Sequence, residues 1–139
     1  MGIFTKLFGK ENEEKRAQRQ WDYMWQLWTE CRLPSPYQEL LTYDAEVQDG
    51  GHLQYFINAE IRKFNMFSIM SALKEVLPEK LGDNLSAAYR SYCRLGIDVS
   101  DDDAIAEALE DAPLSLFDDC FFELEEELLS LLESYAATL

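Results

Sequence analysis

The last third of the sequence contains no lysine, arginine or histidine. Residues 95–139 hold 14 of the 27 acidic residues, whereas residues 1–94 hold the other 13 together with all 12 lysines and arginines. The formal net charge of −15 therefore comes almost entirely from the end of the chain. A segment this negative argues against nucleic acid or an acidic membrane surface as a direct partner and favours a basic protein.

Cysteine and histidine are also scarce. Cys31, Cys93 and Cys120 are far apart and odd in number, which predicts reduced core residues in a cytosolic protein rather than disulfides or metal ligands. His52 is the only histidine, so no Glu-x-x-His pair exists for a di-iron bundle. The sequence also lacks a calcium loop, a glycine-rich phosphate loop and a nucleophile elbow. We therefore expect a protein that is not an enzyme, with no catalytic residue, metal or cofactor.

Long apolar runs are missing as well. No run approaches the ~20 residues of a membrane span, and Lys6 interrupts the apolar stretch of the opening MGIFTKLFGK, which does not read as a signal peptide. We expect a cytoplasmic protein without stable membrane association. Residues 1–14 are predicted to be a flexible or weakly docked N-terminal segment. The alternative is that the apolar residues of this opening touch a membrane surface.

The remaining sequence predicts an all-α fold. With 139 residues, of which 47% are apolar, the chain is long enough for one domain with a real core, expected over residues 15–139. The apolar period is helical, and the tryptophans at 21, 25 and 28 form a stripe expected in the core. Proline and glycine divide the chain into a compact bundle of about seven helices. These are predicted at Glu13–Arg32, Tyr37–Gln48, from His52, at Lys63–Val76, at Leu85–Leu95 with Gly96 as C-cap, at Asp101–Glu110 with Ser100 as N-cap, and after Pro113.

The acidic residues are predicted to form a protein-binding face within residues 98–133. In the last helix, Asp119, Glu123, Glu126 and Glu133 lie opposite the apolar side that runs from Phe117 to Tyr135. The predicted contact residues are Asp101, Asp102, Asp103, Glu107, Glu110, Asp111, Asp119, Glu123, Glu126, Glu127 and Glu133. The alternative is a solvated face that only keeps the protein soluble. Phe122 and Leu129 lie off the apolar side, where they predict a second packing surface, within the domain or between two copies in a homodimer.

The helix dipole explains part of this charge. Acidic residues near a helix N-terminus are stabilised by ~0.3–1 kcal/mol each, which accounts for residues 101–103 after Ser100 and for Asp118 and Asp119 after Pro113. It does not account for the glutamates from 123 to 127 in the middle of one long final helix, or for Glu133 near its end. We expect these glutamates to have a binding role.

Residues 46–58, EVQDGGHLQYFIN, resemble the signature of a bacterial family of unknown function typified by a neisserial DNA-mimic protein. The family pattern is Glu-Val-x-Asn-Gly-Gly-x-x-Gln-Tyr-Phe-x-Asn, and the matching residues are Glu46, Val47, Gly50, Gly51, Gln54, Tyr55, Phe56 and Asn58. The likeness extends to residues 116–124 and Tyr135. It implies a negative helical protein that occupies the DNA site of a transcription factor. The motif itself is expected to be structural, with two glycines at a corner between helices and Gln54 and Asn58 bonding the backbone there.

Three functions remain open at this point. The leading hypothesis is a non-enzymatic protein-binding module, a DNA mimic that occupies the basic surface of a DNA-binding protein. The same acids would serve an immunity-type inhibitor of a co-encoded toxin such as a basic nuclease. The third hypothesis is a metal-dependent hydrolase, in which Glu46, Asp49 and His52 would be the metal ligands. For these residues we expect instead a capping or turn role for Asp49 and a surface position for His52.

Overall fold

A computed structural model describes the backbone of residues 3–139 and the side chains of residues 9, 10 and 12–139. Over this part of the chain the protein forms seven α-helices and no β-strand, which confirms the predicted all-α bundle. The helices are α1 (Ile3–Thr29), α2 (Tyr37–Ile61), α3 (Met66–Lys74), α4 (Glu79–Leu95), α5 (Asp102–Asp111), α6 (Ser115–Glu123) and α7 (Glu125–Ala136).

The first helix starts earlier than predicted. It begins at Ile3 rather than at Glu13, and the described side chains between residues 9 and 19 are all exposed. The predicted flexibility of residues 1–14 and the domain start at residue 15 stay predictions, and the apolar side chains proposed to touch a membrane lie outside the described residues. No helix in the described part of the chain is both long enough and apolar enough to span a membrane.

The second half of α1 packs against the core. Met24 and Leu27 are its buried residues, whereas the three tryptophans are half-buried and line the edge of the core in edge-to-face contact. The tryptophan stripe that was predicted in the core therefore lies at the edge of the core instead. On the same helix, the Gln20 side chain donates to the carbonyl oxygens of Ala137 and Leu139 at 3.3 and 3.2 Å, which ties α1 to the end of the chain.

The central helix α2 carries most of the core and contains one sharp interruption. Leu40, Leu41, Val47 and Phe56 are among its buried residues. At Gly51 the backbone leaves the helical region, with φ 78° and ψ 176°, and the helix resumes at once. The two predicted helices before and after the glycine pair are thus the two halves of α2, and the predicted corner lies at Gly51.

Three helices, α1, α2 and α5, are followed by a residue with left-handed backbone that is not glycine: Cys31, Lys63 and Ala112. After α1, the amides of Cys31 and Arg32 donate to the carbonyls of Trp28 and Leu27; after α2, Lys63 adopts φ 61° in the same arrangement. This arrangement places Cys31 on the surface, and Cys93 is also exposed while Cys120 is half-buried. The prediction of three core cysteines is therefore wrong.

Several predicted boundaries move for local reasons. Helix α3 begins at Met66 because Asn65 caps it by accepting from the Ser68 amide at 3.2 Å. Helix α4 starts at Glu79, directly after Pro78, and ends as predicted at Gly96 in the left-handed conformation. The cap of α5 is Asp101, one residue after the predicted Ser100.

The predicted last helix is two helices. The chain breaks at Leu124, with φ −106° and ψ 7°, so that Leu124 ends α6 and precedes α7. The predicted apolar side faces inward, since Phe121, Leu128 and Leu132 are buried. Phe122 and Leu129 are 43% and 46% exposed, so the second packing surface predicted for them is not within the domain.

Candidate functional site

The corner at Gly51 is closed by a carboxylate from α6. Because the helix is interrupted there, the amide of His52 has no helical carbonyl to bond. The Asp118 carboxylate accepts instead, with 2.8 Å between the His52 nitrogen and Oδ1. A Cβ atom on Gly51 would lie 2.5 Å from Oδ2 of Asp118, so only glycine provides both the positive φ and the room.

The imidazole of His52 extends this contact into the core. Its Nδ1 lies 2.7 Å from Oδ1 of Asp118 and its Nε2 lies 2.7 Å from the hydroxyl of Tyr43. Since the carboxylate only accepts, Nδ1 carries the proton and Nε2 accepts from Tyr43. Burial lowers the pKa of His52 from its ordinary 6.5, while the hydrogen bond to Asp118 and its charge act in the opposite direction.

This network corrects two predictions. His52 is 0% exposed rather than on the surface, and the capping oxygen at the corner comes from Asp118 rather than from Asp49, which is exposed. No spacing pattern indicates this contact, because 66 residues separate His52 from Asp118. Tyr43 was missed because it reads as one more apolar position of α2. Tyr43, His52 and Asp118 are hydrogen-bonded in series, as in a catalytic triad. His52 and Tyr43 are fully buried, however, so a substrate cannot reach them. Their role is to fix α2 to α6.

The hypothetical metal ligands do not converge. Both ring nitrogens of His52 are occupied, and Glu46 accepts from Arg62 through a 3.1 Å ion pair between its Oε1 and Nη1. Among the described residues no group of three or more histidine, cysteine, aspartate or glutamate side chains has the arrangement of a metal site.

The other signature residues act through side chains rather than through the backbone at the corner. The Asn58 amide donates to Oε1 of Glu46 at 3.4 Å, and the side chain of Gln54 lies over Gly50, where a Cβ atom would overlap it. The expected bonds from Gln54 and Asn58 to the corner backbone are therefore replaced by these contacts. Tyr55 and Phe56 are buried as predicted.

The eleven predicted contact acids are all exposed. They fall into two groups. We call residues 101, 102, 103, 107, 110 and 111 the α5 carboxylates, and residues 119, 123, 126, 127 and 133 the α6–α7 carboxylates. Helix α5 packs on α2, α6 packs on α4 and α2, and α7 packs on α1, while α6 and α7 also contact each other.

The break at Leu124 changes the position of three glutamates from the middle of a helix to its first turn. Glu125, Glu126 and Glu127 form the first turn of α7, where the helix dipole stabilises negative charge. The position of these three residues therefore does not require a binding role, and the binding role of Glu126 and Glu127 stays a prediction. Other acids still lie where the dipole opposes them: Glu110 and Asp111 at the end of α5, Glu123 at the end of α6, and Glu133 in the second half of α7.

None of the eleven carboxylates has an ionic partner in the described part of the chain. The ion pairs there join Arg32 to Glu30, His52 to Asp118 and Arg62 to Glu46. The charge of the two groups is thus presented to solvent without local neutralisation. A surface of this kind attracts a cationic surface and repels an anionic one.

No curated protein and no solved structure matches the chain. Among family models, residues 31–139 match the model described as DMP19-like protein, a family of DNA-mimic type. The match includes the glycine corner, the Asp118 contact and both carboxylate groups, and it confirms the resemblance read from residues 46–58. The chain belongs to the DMP19-like protein family.

Proposed function

We propose that this protein is a non-enzymatic DNA mimic that binds the DNA-contacting surface of a basic protein such as a transcription factor. The observation that supports this most is the set of exposed carboxylates on α5, α6 and α7, which have no lysine or arginine partner among the described residues. Membership of a DNA-mimic family supports the same kind of partner.

The charge spacing supports mimicry of one DNA strand. From Asp119 to Glu133 the two helices have a contour of about 20 Å at 1.5 Å per residue. With Glu125 included, six carboxylates lie along this contour, or about one per 3.5 Å. One strand of a duplex carries one phosphate per ~3.4 Å. The total negative charge per length of α6 and α7 is thus comparable with that of one DNA strand, although it is distributed around the helices rather than along one line.

Exposed apolar side chains distinguish this surface from DNA. Phe122 and Leu129 lie on the same two helices as the α6–α7 carboxylates and are exposed. Aromatic and aliphatic anchors supply much of the affinity of protein interfaces. We infer that they add contacts specific to the partner, which a phosphate backbone does not offer. A homodimer through the same residues stays a prediction, and it would bring like charges together.

The test is displacement of DNA-binding proteins from immobilised duplex DNA. Beads carrying duplex DNA are loaded with bacterial lysate, washed at 0.15 M NaCl and eluted with the purified protein. We expect it to release one or a few basic proteins. The variant Glu123→Gln, Glu126→Gln, Glu127→Gln should release at least tenfold less of them, because it removes three charges from the surface facing the partner.

The matched control changes the same total charge elsewhere. The variant Glu13→Gln, Glu14→Gln, Glu79→Gln neutralises exposed glutamates of α1 and α4. It should elute the same proteins as the unchanged chain. A third variant, Asp102→Asn, Asp103→Asn, Glu107→Gln, shows whether the α5 carboxylates join the contact. We call the Glu123→Gln, Glu126→Gln, Glu127→Gln protein the α6–α7 variant. If it elutes the same amount of bound protein as the control does, the proposed surface is refuted.

A further inference from the structure

A cavity of about 870 Å³ lies along α2. Its walls come from the end of α1, from both halves of α2 and from the residues that follow α2 as far as Ile69. No residue between 98 and 133 lines it. The volume is within the ~300–1,000 Å³ that is usual for small-molecule sites.

The charge of this cavity is negative. Glu39, Glu46 and Asp49, all from α2, line it, together with a single cationic residue, Arg62. The guanidinium of Arg62 is committed to Glu46, with 3.1 Å between Nη1 and Oε1. Glu39 and Asp49 therefore remain without a cationic partner in the part of the chain that the structure describes.

Two polar groups in the wall lack partners among the described residues. Oε1 of Glu39 accepts from the Ser35 hydroxyl at 2.9 Å, but its Oε2 is buried without a hydrogen bond. Tyr55 is 2% exposed, lines the cavity, and its hydroxyl makes no hydrogen bond to a described residue. Buried polar groups in proteins nearly always have partners, so the unpaired Oε2 of Glu39 in the wall of a cavity points to a bound ligand.

The negative field of the carboxylates reaches the tyrosine. Burial raises the pKa of Tyr55 well above its ordinary range, and the charges of Glu46 and Glu39 raise it further. The neutral hydroxyl is therefore kept, as a donor or an acceptor, at physiological pH. The same field favours a positive charge in the cavity.

Aromatic walls complete the site and are held in place. The Trp28 indole N–H donates to Oγ1 of Thr42 at 2.8 Å, and the Trp28 carbonyl accepts from the Gln38 amide at 3.0 Å. Phe64 lines another part of the wall. Aromatic faces attract cations, and prior fixing of the wall lowers the entropy lost on binding.

We propose that this cavity binds an organic cation with an alkyl body and a guanidinium or ammonium head. The head would bond Glu39 and the Tyr55 hydroxyl, while the alkyl part would lie against the aromatic wall. An anion would meet two carboxylates without cationic partners and would have to displace Glu46 from Arg62. The site is separate from the acidic surface, and its existence does not depend on the proposed DNA mimicry.

A cation of this kind can come from two sources, a free alkylguanidine or the arginine side chain of a protein. The probes are agmatine and the capped peptide acetyl-Gly-Arg-Gly-amide, with N-butylurea as a neutral analogue of similar shape. Binding is followed at 0.15 M NaCl through the NMR signals of the Trp28 indole N–H and the Ala59 amide, both in the cavity wall. We expect saturable shifts of these signals with a cationic probe and none with N-butylurea. Tighter binding of the peptide identifies an arginine side chain, and tighter binding of agmatine a free cation.

Two conservative variants test the assigned groups. Glu39→Gln keeps the acceptor for Ser35 and removes the charge, and it should weaken binding at least tenfold. Tyr55→Phe keeps the ring and should weaken binding about threefold or more. Thermal melts of both variants verify that they are folded. The variant Glu123→Gln, Glu126→Gln, Glu127→Gln should keep full binding, since these acids do not line the cavity.

Three results would overturn the proposal. Equal shifts with N-butylurea would show that charge is not recognised. Unchanged affinity in Glu39→Gln would show that the cation does not bind at this carboxylate. Shifts confined to α6 and α7, or lost in the α6–α7 variant alone, would show only the general attraction of cations to a chain of net charge −15.

Discussion

Asp118 and Asp119 are neighbours on α6 with opposite surroundings. The carboxylate of Asp118 accepts from the backbone and the imidazole of His52 and is 26% exposed, whereas Asp119 is exposed and bonds no described residue. The first carboxylate holds the corner of α2 together, and the second adds charge to a surface. Acidic residues of one helix thus serve two purposes, and their count alone does not distinguish structure from binding.

The largest stability effect should come from the corner itself. Gly51→Ala places a Cβ at φ 78° and 2.5 Å from the Asp118 carboxylate, which strains the backbone and displaces the capping oxygen. We expect a loss of about 2–4 kcal/mol in the free energy of unfolding, measured by urea denaturation. The control is Gly82→Ala in α4, where a Cβ meets no atom within 4 Å. That variant should be neutral or more stable by ~0.5–1 kcal/mol. Similar losses in both variants would contradict this account of the corner.

The two neighbouring aspartates give a matched pair of substitutions. Asp118→Ala leaves the His52 amide and imidazole N–H without an acceptor, and should cost about 2–3 kcal/mol. Asp119→Ala removes the same charge from an exposed position and should change the free energy of unfolding by less than about 0.5 kcal/mol. Urea denaturation at pH 7.5 measures both. If the two losses are equal, Asp118 does not hold the corner.

The pKa of His52 in the folded protein tests the contact with Asp118 in a second way. Burial lowers its folded-state pKa below 6.5, so the unfolded chain takes up the proton at a higher pH than the folded chain does. The histidine therefore contributes full stability above 6.5, and this contribution is lost as the pH falls, by up to ~1.4 kcal/mol per pH unit until the folded pKa is reached. As the only histidine, it gives a single set of imidazole ring-proton signals for an NMR titration. A midpoint above 6.5 would mean that Asp118 attracts the proton more than burial excludes it.

The smallest effect concerns the exposed carboxylates. Like charges one turn apart on a helix cost a few tenths of a kcal/mol each, and salt screens them. We expect the melting temperature at pH 7 to rise by a few degrees between 0.02 and 0.5 M NaCl. The Glu123→Gln, Glu126→Gln, Glu127→Gln variant should start higher and rise less. A melting temperature that falls steadily with salt would show that these acids are paired within the fold.

The sequence predicts those parts of the molecule that depend on local chemistry. Helical periodicity, Gly96 as a C-cap and the interruption at Gly51 follow from the residues themselves, and all three are present. The break at Leu124 was missed because a leucine in an apolar stripe carries no sign of one, and three glutamates in the first turn of α7 were therefore predicted to lie in mid-helix. The Asp118–His52 contact was missed because it joins distant residues, so only tertiary packing reveals it.

The cavity was also beyond the reach of the sequence. Glu39 and Tyr55 lie on α2 and Arg62 directly follows it, but Trp28 and Phe64 reach the same space from other parts of the chain. The family pattern covers residues 46–58, but it does not indicate that Glu46, Gln54, Tyr55 and Asn58 line a concave surface. A pattern in one segment does not specify which side chains meet around an empty space.

Mutual exclusion with DNA tests the central claim most directly. One protein released from DNA beads is purified, and its binding to a fluorescent duplex is followed by anisotropy while this protein is added. Mimicry predicts that the duplex is displaced completely, with an apparent affinity for DNA that falls in proportion to the added protein. The α6–α7 variant should displace it at least tenfold less well. A stable ternary complex of partner, duplex and this protein would contradict the claim, because a DNA mimic and DNA cannot occupy one surface together.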